Sequence, residues 1–349
     1  AVTNWSLNKT YNAPDFLSEF EWYTKSDPTH GLINYQSQSA AIAANITEVR
    51  GDSLFLRVDT TPTALEGRSS NRITSKAAFG DGIYVLNVSH VPYGCSVWPA
   101  FWTVTVDYDT GAWPAGGEID IIENANDQFS GDLVALHTNP GCTIPSTSST
   151  QQASTQIQYT DCSGKTAQNT GCRMMLGSKP PTWGAPLNQA GGGLFVMRRD
   201  LSKGGTGISV WFFARGKEPS DLRPGSFAAN PSGWGLPGAH FDIASTCASY
   251  FGPHYIVINT ALAGDFAAAT HRLLADPHPP RLHPGFCLLN FHGLKQQQYT
   301  ASLDDDKADD NDEEYDSHFD DYDTNIEAFG CVLHSQCRLQ KRLLPQGSA

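Results

Sequence analysis

Three carboxylates, Glu118, Asp120 and Glu123, lie within six residues of one another in the segment Trp113-Pro114-Ala115-Gly116-Gly117-Glu118-Ile119-Asp120-Ile121-Ile122-Glu123. They are interleaved with isoleucines, the composition of a β-strand. Side chains on a strand point alternately to opposite faces, so Glu118 and Asp120 share one face while Ile119 and Ile121 share the other, which must be buried. Glu123 is out of step by one residue. A β-bulge at Ile121-Ile122 would absorb the extra residue and return Glu123 to the face of the other two acids, and bulges are common beside active sites.

Such a row is costly, because two like charges about 5 Å apart repel by roughly 3 kcal/mol even at an effective dielectric of 20. No Lys or Arg occurs between Lys76 and Lys165, so the sequence supplies no local counter-ion. Three readings remain: a solvated polar face without a role, a bound cation such as calcium, or a catalytic set that shares protons and has its pKa values pushed apart. Paired carboxylates flanking a sugar bond are the equipment of glycoside hydrolysis, one as nucleophile or base and the other as acid.

The run Glu118-Ile119-Asp120-Ile121-Ile122-Glu123 resembles the E-[IV]-D-I-[IV]-E signature of glycoside hydrolase family 16, in particular its fungal laminarinase-like endo-1,3(4)-β-glucanases. Trp98-Pro99-Ala100-Phe101-Trp102 upstream and Leu136-His137-Thr138 downstream are similar to that group as well, in matching order and spacing. The resemblance implies an all-β, concanavalin A-like jelly-roll β-sandwich with an open groove. It also implies Glu118 as nucleophile, Glu123 as acid and base, and Asp120 between them raising a neighbour's pKa. Trp98, Trp102, Trp113 and Trp234 are the expected substrate-binding aromatics, the last in Ser232-Gly233-Trp234-Gly235, which resembles a family loop bordering the cleft. His137 is expected beside the acids, fixing their orientation. Read singly, Trp98 and Trp102 could equally be core; an indole also offers a flat apolar platform to the C–H face of a sugar ring.

The 349 residues carry a net charge of −13, of which twelve acids and one lysine between Asp304 and Asp323 contribute −11. The body of the chain is therefore nearly neutral and has no basic stripe for nucleic acid. A neutral β-glucan polysaccharide is the expected partner, met by a monomer that needs no cofactor. No run of about 18 apolar residues marks a membrane span. Eight cysteines and sequons at Asn4, Asn8, Asn45 and Asn87 favour the secretory route and an extracellular or cell-wall location, with a leader already removed before Ala1.

Strands are expected at Ser53 to Asp59, Gly82 to Val91, Trp98 to Val106, Val134 to Thr138, Leu194 to Arg198, Ile208 to Phe213 and Tyr255 to Asn259, from their alternation and apolar runs. Cys142, Cys162 and Cys172 lie in a Ser/Thr-rich loop that disulfides would order. Residues 1–265 form the expected catalytic domain. Beyond it the family has Cys-Gly-Asp-Trp where this chain has Ala263-Gly264-Asp265-Phe266, its closing strand is not recognisable, and the five cysteines before Asp265 leave one unpaired. Residues 266–349 are expected to be a disordered acidic tail, from a shifted reading frame, an unspliced intron or a genuine extension. Two other functions use the same features: a transglycosylase, in which sugar outcompetes water, and a carbohydrate-binding sandwich without catalysis.

Overall fold

The computed structural model describes residues 4–272, with short breaks at 62–63, 65, 127–130, 148–149, 153 and 167–168, together with the strand Asp323–His334. Two antiparallel sheets face each other. The first runs Gln156–Tyr159, Cys172–Met175, Leu133–His137, Glu118–Glu123, Val97–Thr105, His254–Leu262, Arg72–Phe79, Phe20–Trp22. The second runs Ala228–Ala229, Trp5–Tyr11, Asp323–His334, Gly82–His90, Gly193–Asp200, Gly207–Ala214, Ala239–Phe241, with Ser53–Arg57 and Thr47–Arg50 joined to it through Asp323–His334. This is the jelly-roll sandwich that the resemblance implies.

Period-2 alternation decides which residues fill the space between the sheets. Ile119, Ile121 and Ile122 from one strand and Phe195, Met197, Ile208 and Val210 from the other sheet meet in the main core, all at most 2% exposed. Their sequence neighbours Leu194, Val196 and Trp211 point the opposite way and form a second cluster on the outer face of the second sheet, under the loop that follows Ala214. Two-sided burial explains why the strands Gly82–His90 and Gly193–Asp200 read as nearly continuous apolar runs.

Two corrections concern the end of the chain. The helix Gly264–Arg272 extends order past residue 266, and Asp323–His334 stands between Trp5–Tyr11 and Gly82–His90, supplying a strand that the sequence did not reveal. Its register against Gly82–His90 shifts twice, so no regular alternation announces it. The rest of the expected tail, residues 273–322 and 335–349, lies outside the described residues. Cys142 bonds Cys247 and Cys162 bonds Cys172, and Cys95 is also in a disulfide, so the odd count before Asp265 does not leave it reduced.

Candidate active site

The strand Glu118–Glu123 sits in the middle of the first sheet, between Val97–Thr105 and Leu133–His137. Glu118 is opposite His137, Ile119 opposite Leu136 and Asp120 opposite Ala135, and then the register jumps to Glu123 opposite Leu133. Against the other neighbour the jump falls between Asp120 and Ile122. Two residues, Ile121 and Ile122, therefore face one, Val134: this is a β-bulge. Cross-strand partners share a face, so Glu118, Asp120 and Glu123 stand with His137, Ala135 and Leu133 on the face away from the core.

Each acid is held differently. Trp113 Nε1–H donates to Glu118 Oε2 (2.8 Å), and Trp98 Nε1–H donates to Glu123 Oε1 (2.9 Å). Asp120, 3% exposed, has Oδ2 3.3 Å from His137 Nε2 without hydrogen-bond alignment. The outer two acids are thus fixed by indoles, while the central one faces an imidazole. Trp113 arrives over the sheet on a turn through Gly116 and Gly117, at φ +81° and +83°. A Cβ on Gly116 would lie 2.2 Å from Thr105 Oγ1 and one on Gly117 2.4 Å from Phe251, so both the backbone conformation and the space require glycine. The buried His254 secures this turn, its Nε2 2.8 Å from the Gly116 carbonyl oxygen. Burial lowers the His254 pKa to about 3, which keeps it neutral with a proton on that nitrogen.

The electrostatic cost foreseen for the row is present. Burial first, and then the Asp120 charge, raise Glu118 to about 8, against the lowering effects of His137 and of the Trp113 hydrogen bond. Glu118 keeps part of its accessible surface, yet its carboxylate is closely surrounded by protein atoms. Asp120 is raised by its burial and by Glu123. Ligand atoms of Glu118, Asp120 and His137 lie within 4.8 Å of one another, so this trio is also a group that could hold a cation.

Of the expected substrate-binding residues, Trp98, Trp102, Trp113 and His137 come to the face of the acids. Trp102 is opposite Asp120 and donates from Nε1 to Asn259 Oδ1 (2.7 Å). Trp113 lies against His137, ring centroids 5.9 Å apart. Trp234 does not join them. It is buried in the cluster on the outer face of the second sheet, edge-on to Trp211 (5.4 Å) and donating to Asp221, with the whole sandwich between it and Glu118. Its loop packs on Trp211, a residue whose outward direction the alternating strand pattern does not by itself distinguish from inward.

Sequence reasoning missed neighbours of the tryptophans that stand beside the acids. Phe266, on the helix Gly264–Arg272, meets the Trp98 ring edge-on at 5.5 Å and has the Arg173 guanidinium 5.7 Å from its centroid. The Gly264-Asp265-Phe266 run was the available signal, but with Phe in the family's Trp position it read as the end of the resemblance. Arg72, 4% exposed, puts its guanidinium 5.0 Å from the Trp102 ring and 4.7 Å from Tyr23. Nothing local in the sequence marks it.

Sheet, bulge and side-chain holders together define a jelly-roll sandwich that carries a carboxylate trio, framed by tryptophans, on the outer face of one sheet. The family model described as an XgeA-like, catalytic GH16 domain matches residues 20–278, and the chain belongs to glycoside hydrolase family 16. An endo-1,3(4)-beta-glucanase of Arthroderma benhamiae is 35% identical over 270 residues, covering 75% of this chain and 55% of that protein. A probable endo-1,3(4)-beta-glucanase of Aspergillus niger is 32% identical over 276 residues, 78% of this chain and 35% of its own length. The chain thus spans only about a third to a little over half of these curated relatives. Among solved structures, Laminarinase 16A from Phanerochaete chrysosporium, with β-glucans in both donor and acceptor sites, superposes with a TM-score of 0.73 at 30% identity, covering 94% of this chain and 99% of that one. An elongating family 16 β-1,3-glucosyltransferase gives 0.68 at 30% identity, covering 81% and 90%.

Proposed function

We propose that this chain is a retaining endo-β-glucanase that cleaves internal β-1,3 and mixed β-1,3/1,4 linkages. The observation that carries this reading is the bulged strand, which sets Glu118, Asp120 and Glu123 on one face, away from the core, with an indole N–H on each outer acid. Neither a solvated face nor a passive sugar-binding surface needs three acids held in this way.

In the first step the Glu118 carboxylate attacks the anomeric carbon. The bond from that carbon to the leaving oxygen breaks, and Glu123 gives its proton to that oxygen. In the second step Glu123 takes a proton from water, which attacks the same carbon and frees Glu118. Glu118 must be ionised to attack, although burial and the Asp120 charge both oppose this. A proton held on Asp120 removes that second opposition, so Asp120 serves as the proton store of the row. Trp98, Trp102 and Trp113 offer ring faces and edges to the glucan. The likeness to Laminarinase 16A, with glucan in its donor and acceptor sites, supports that substrate. The disulfides and the exposed sequon residues Asn4, Asn8 and Asn45 support an extracellular setting.

Glu118→Ala should abolish release of reducing ends from laminarin, and NMR of the parent reaction should show the β-anomer forming first. The α-anomer appearing first would mean inversion and discard the role of Glu118. A second reading, glucan transfer, is favoured by the likeness to the elongating glucosyltransferase. Product-length analysis separates the two, since transfer yields chains longer than the substrate.

A further inference from the structure

We propose that Asp132, outside the acidic motif, is a positioning residue that sets Glu123 in the cleft by closing the bulge. This rests on the reading of Glu123 as the acid. Where the register jumps, the Glu123 main-chain N–H donates to Asp132 Oδ1 (3.0 Å), so a side chain completes the bond at the irregular position. An inserted residue disturbs the regular ladder there, and a buried N–H without an acceptor is strongly disfavoured.

Asp132 is itself clamped. Its N–H donates to Thr182 Oγ1 (3.0 Å), which donates on to the Gly177 carbonyl (3.2 Å), and its own carbonyl accepts from Leu176 N–H (2.8 Å). Gly131 precedes it at φ +126°, so close to the Leu176 carbonyl that a Cβ would lie 2.0 Å from that oxygen. The carboxyl group is therefore delivered by a rigid corner rather than by a free loop.

Asp132 is fully buried, and its Oδ2 has no hydrogen-bond partner among the described residues. A negative charge there would face Glu123, with backbone N–H groups alone to offset it. Burial, and after it Glu123, raise its pKa, while the hydrogen bonds from the Glu123 and Leu133 backbones oppose this. The group that the bulge needs is a neutral acceptor with the shape of a carboxyl. Asn is neutral and has that shape and an acceptor oxygen, whereas Ala is neutral but offers neither the shape nor an acceptor.

The test compares Asp132→Asn and Asp132→Ala with the parent on two substrates: laminarin, whose leaving oxygen needs a proton, and a dinitrophenyl β-glucoside of a laminari-oligosaccharide, whose leaving group departs without one. Asn should keep kcat/KM and its pH profile on both. Ala should lose about tenfold to a hundredfold in kcat/KM on laminarin through kcat, with KM nearly unchanged, and much less on the dinitrophenyl substrate, because kcat/KM reports the first step, where Glu123 acts only by protonating the leaving oxygen. An equal loss on both substrates, or a loss confined to KM, would overturn the proposal. Should the Ala variant fail to fold, the Asn variant still decides: a fall in its kcat/KM or a displaced pH profile would show that a charged Asp132 is needed and refute the neutral-acceptor role. Glu123→Ala separates this from failure of the underlying reading. If that variant is as active on laminarin as the parent, the acid assignment fails, and Asp132 with it; if it is inactive there but active on the dinitrophenyl substrate, only the results at Asp132 judge the proposal.

Discussion

Replacing Glu118 by Gln should make the protein more stable at pH 7, with the gain shrinking towards pH 5. Glu118 ionises at about 8 in the folded protein against an ordinary 4.5. A carboxyl that is harder to ionise when folded binds its proton more tightly in the native state. Between those two values unfolding releases a proton, so stability falls as pH rises. Integrated to pH 7, the cost is about 3 kcal/mol, and to pH 5 it is under about 1 kcal/mol. These are upper figures, since Glu118 keeps part of its surface in contact with water. Gln removes the ionisation and retains an oxygen that accepts from Trp113 Nε1–H, so little else changes. Urea denaturation of both proteins at pH 5 and pH 7 should show the Gln variant ahead by roughly 2 kcal/mol more at the higher pH, while its glucanase activity is lost. A stability difference that is the same at both pH values would mean that Glu118 is not held high, and the electrostatic account of the acidic row would fail with it.

Two further outcomes test the architecture. Trp234→Ala should cost about 3–5 kcal/mol of stability through the cavity left against Trp211, yet leave the KM for laminarin unchanged at temperatures where the variant is folded, as steady-state kinetics beside a thermal melt would show. A raised KM with unaltered stability would return Trp234 to the cleft. Replacing Cys142 and Cys247 by Ser opens a 105-residue loop and should lower stability by up to about 4.7 kcal/mol, measured by denaturant titration, whereas an unchanged midpoint would show that packing alone holds that loop.

The local pattern determined much of this protein without any fold. Alternation put Glu118 and Asp120 on one face, and the misplaced Glu123 required a bulge at Ile121-Ile122, which the register contains. Period-2 spacing and apolar content are properties of neighbouring residues, so they survive reading one residue at a time. What joins distant segments was not legible in this way. Asp132 gives no signal because its role is a single hydrogen bond to the backbone of a residue on another strand. Trp234 resembles a cleft residue by its neighbours in the chain, but only the packing of its loop on Trp211 sends it to the opposite face of the sandwich. Asp323–His334 enters the second sheet after a long separation in sequence, and its irregular register erased the alternation that would have announced it. Sequence settled which chemical groups are available and which face each strand residue takes. The fold settled which of those groups meet, because partners are chosen by sheet order and by loop packing, and neither is written in any one stretch of chain.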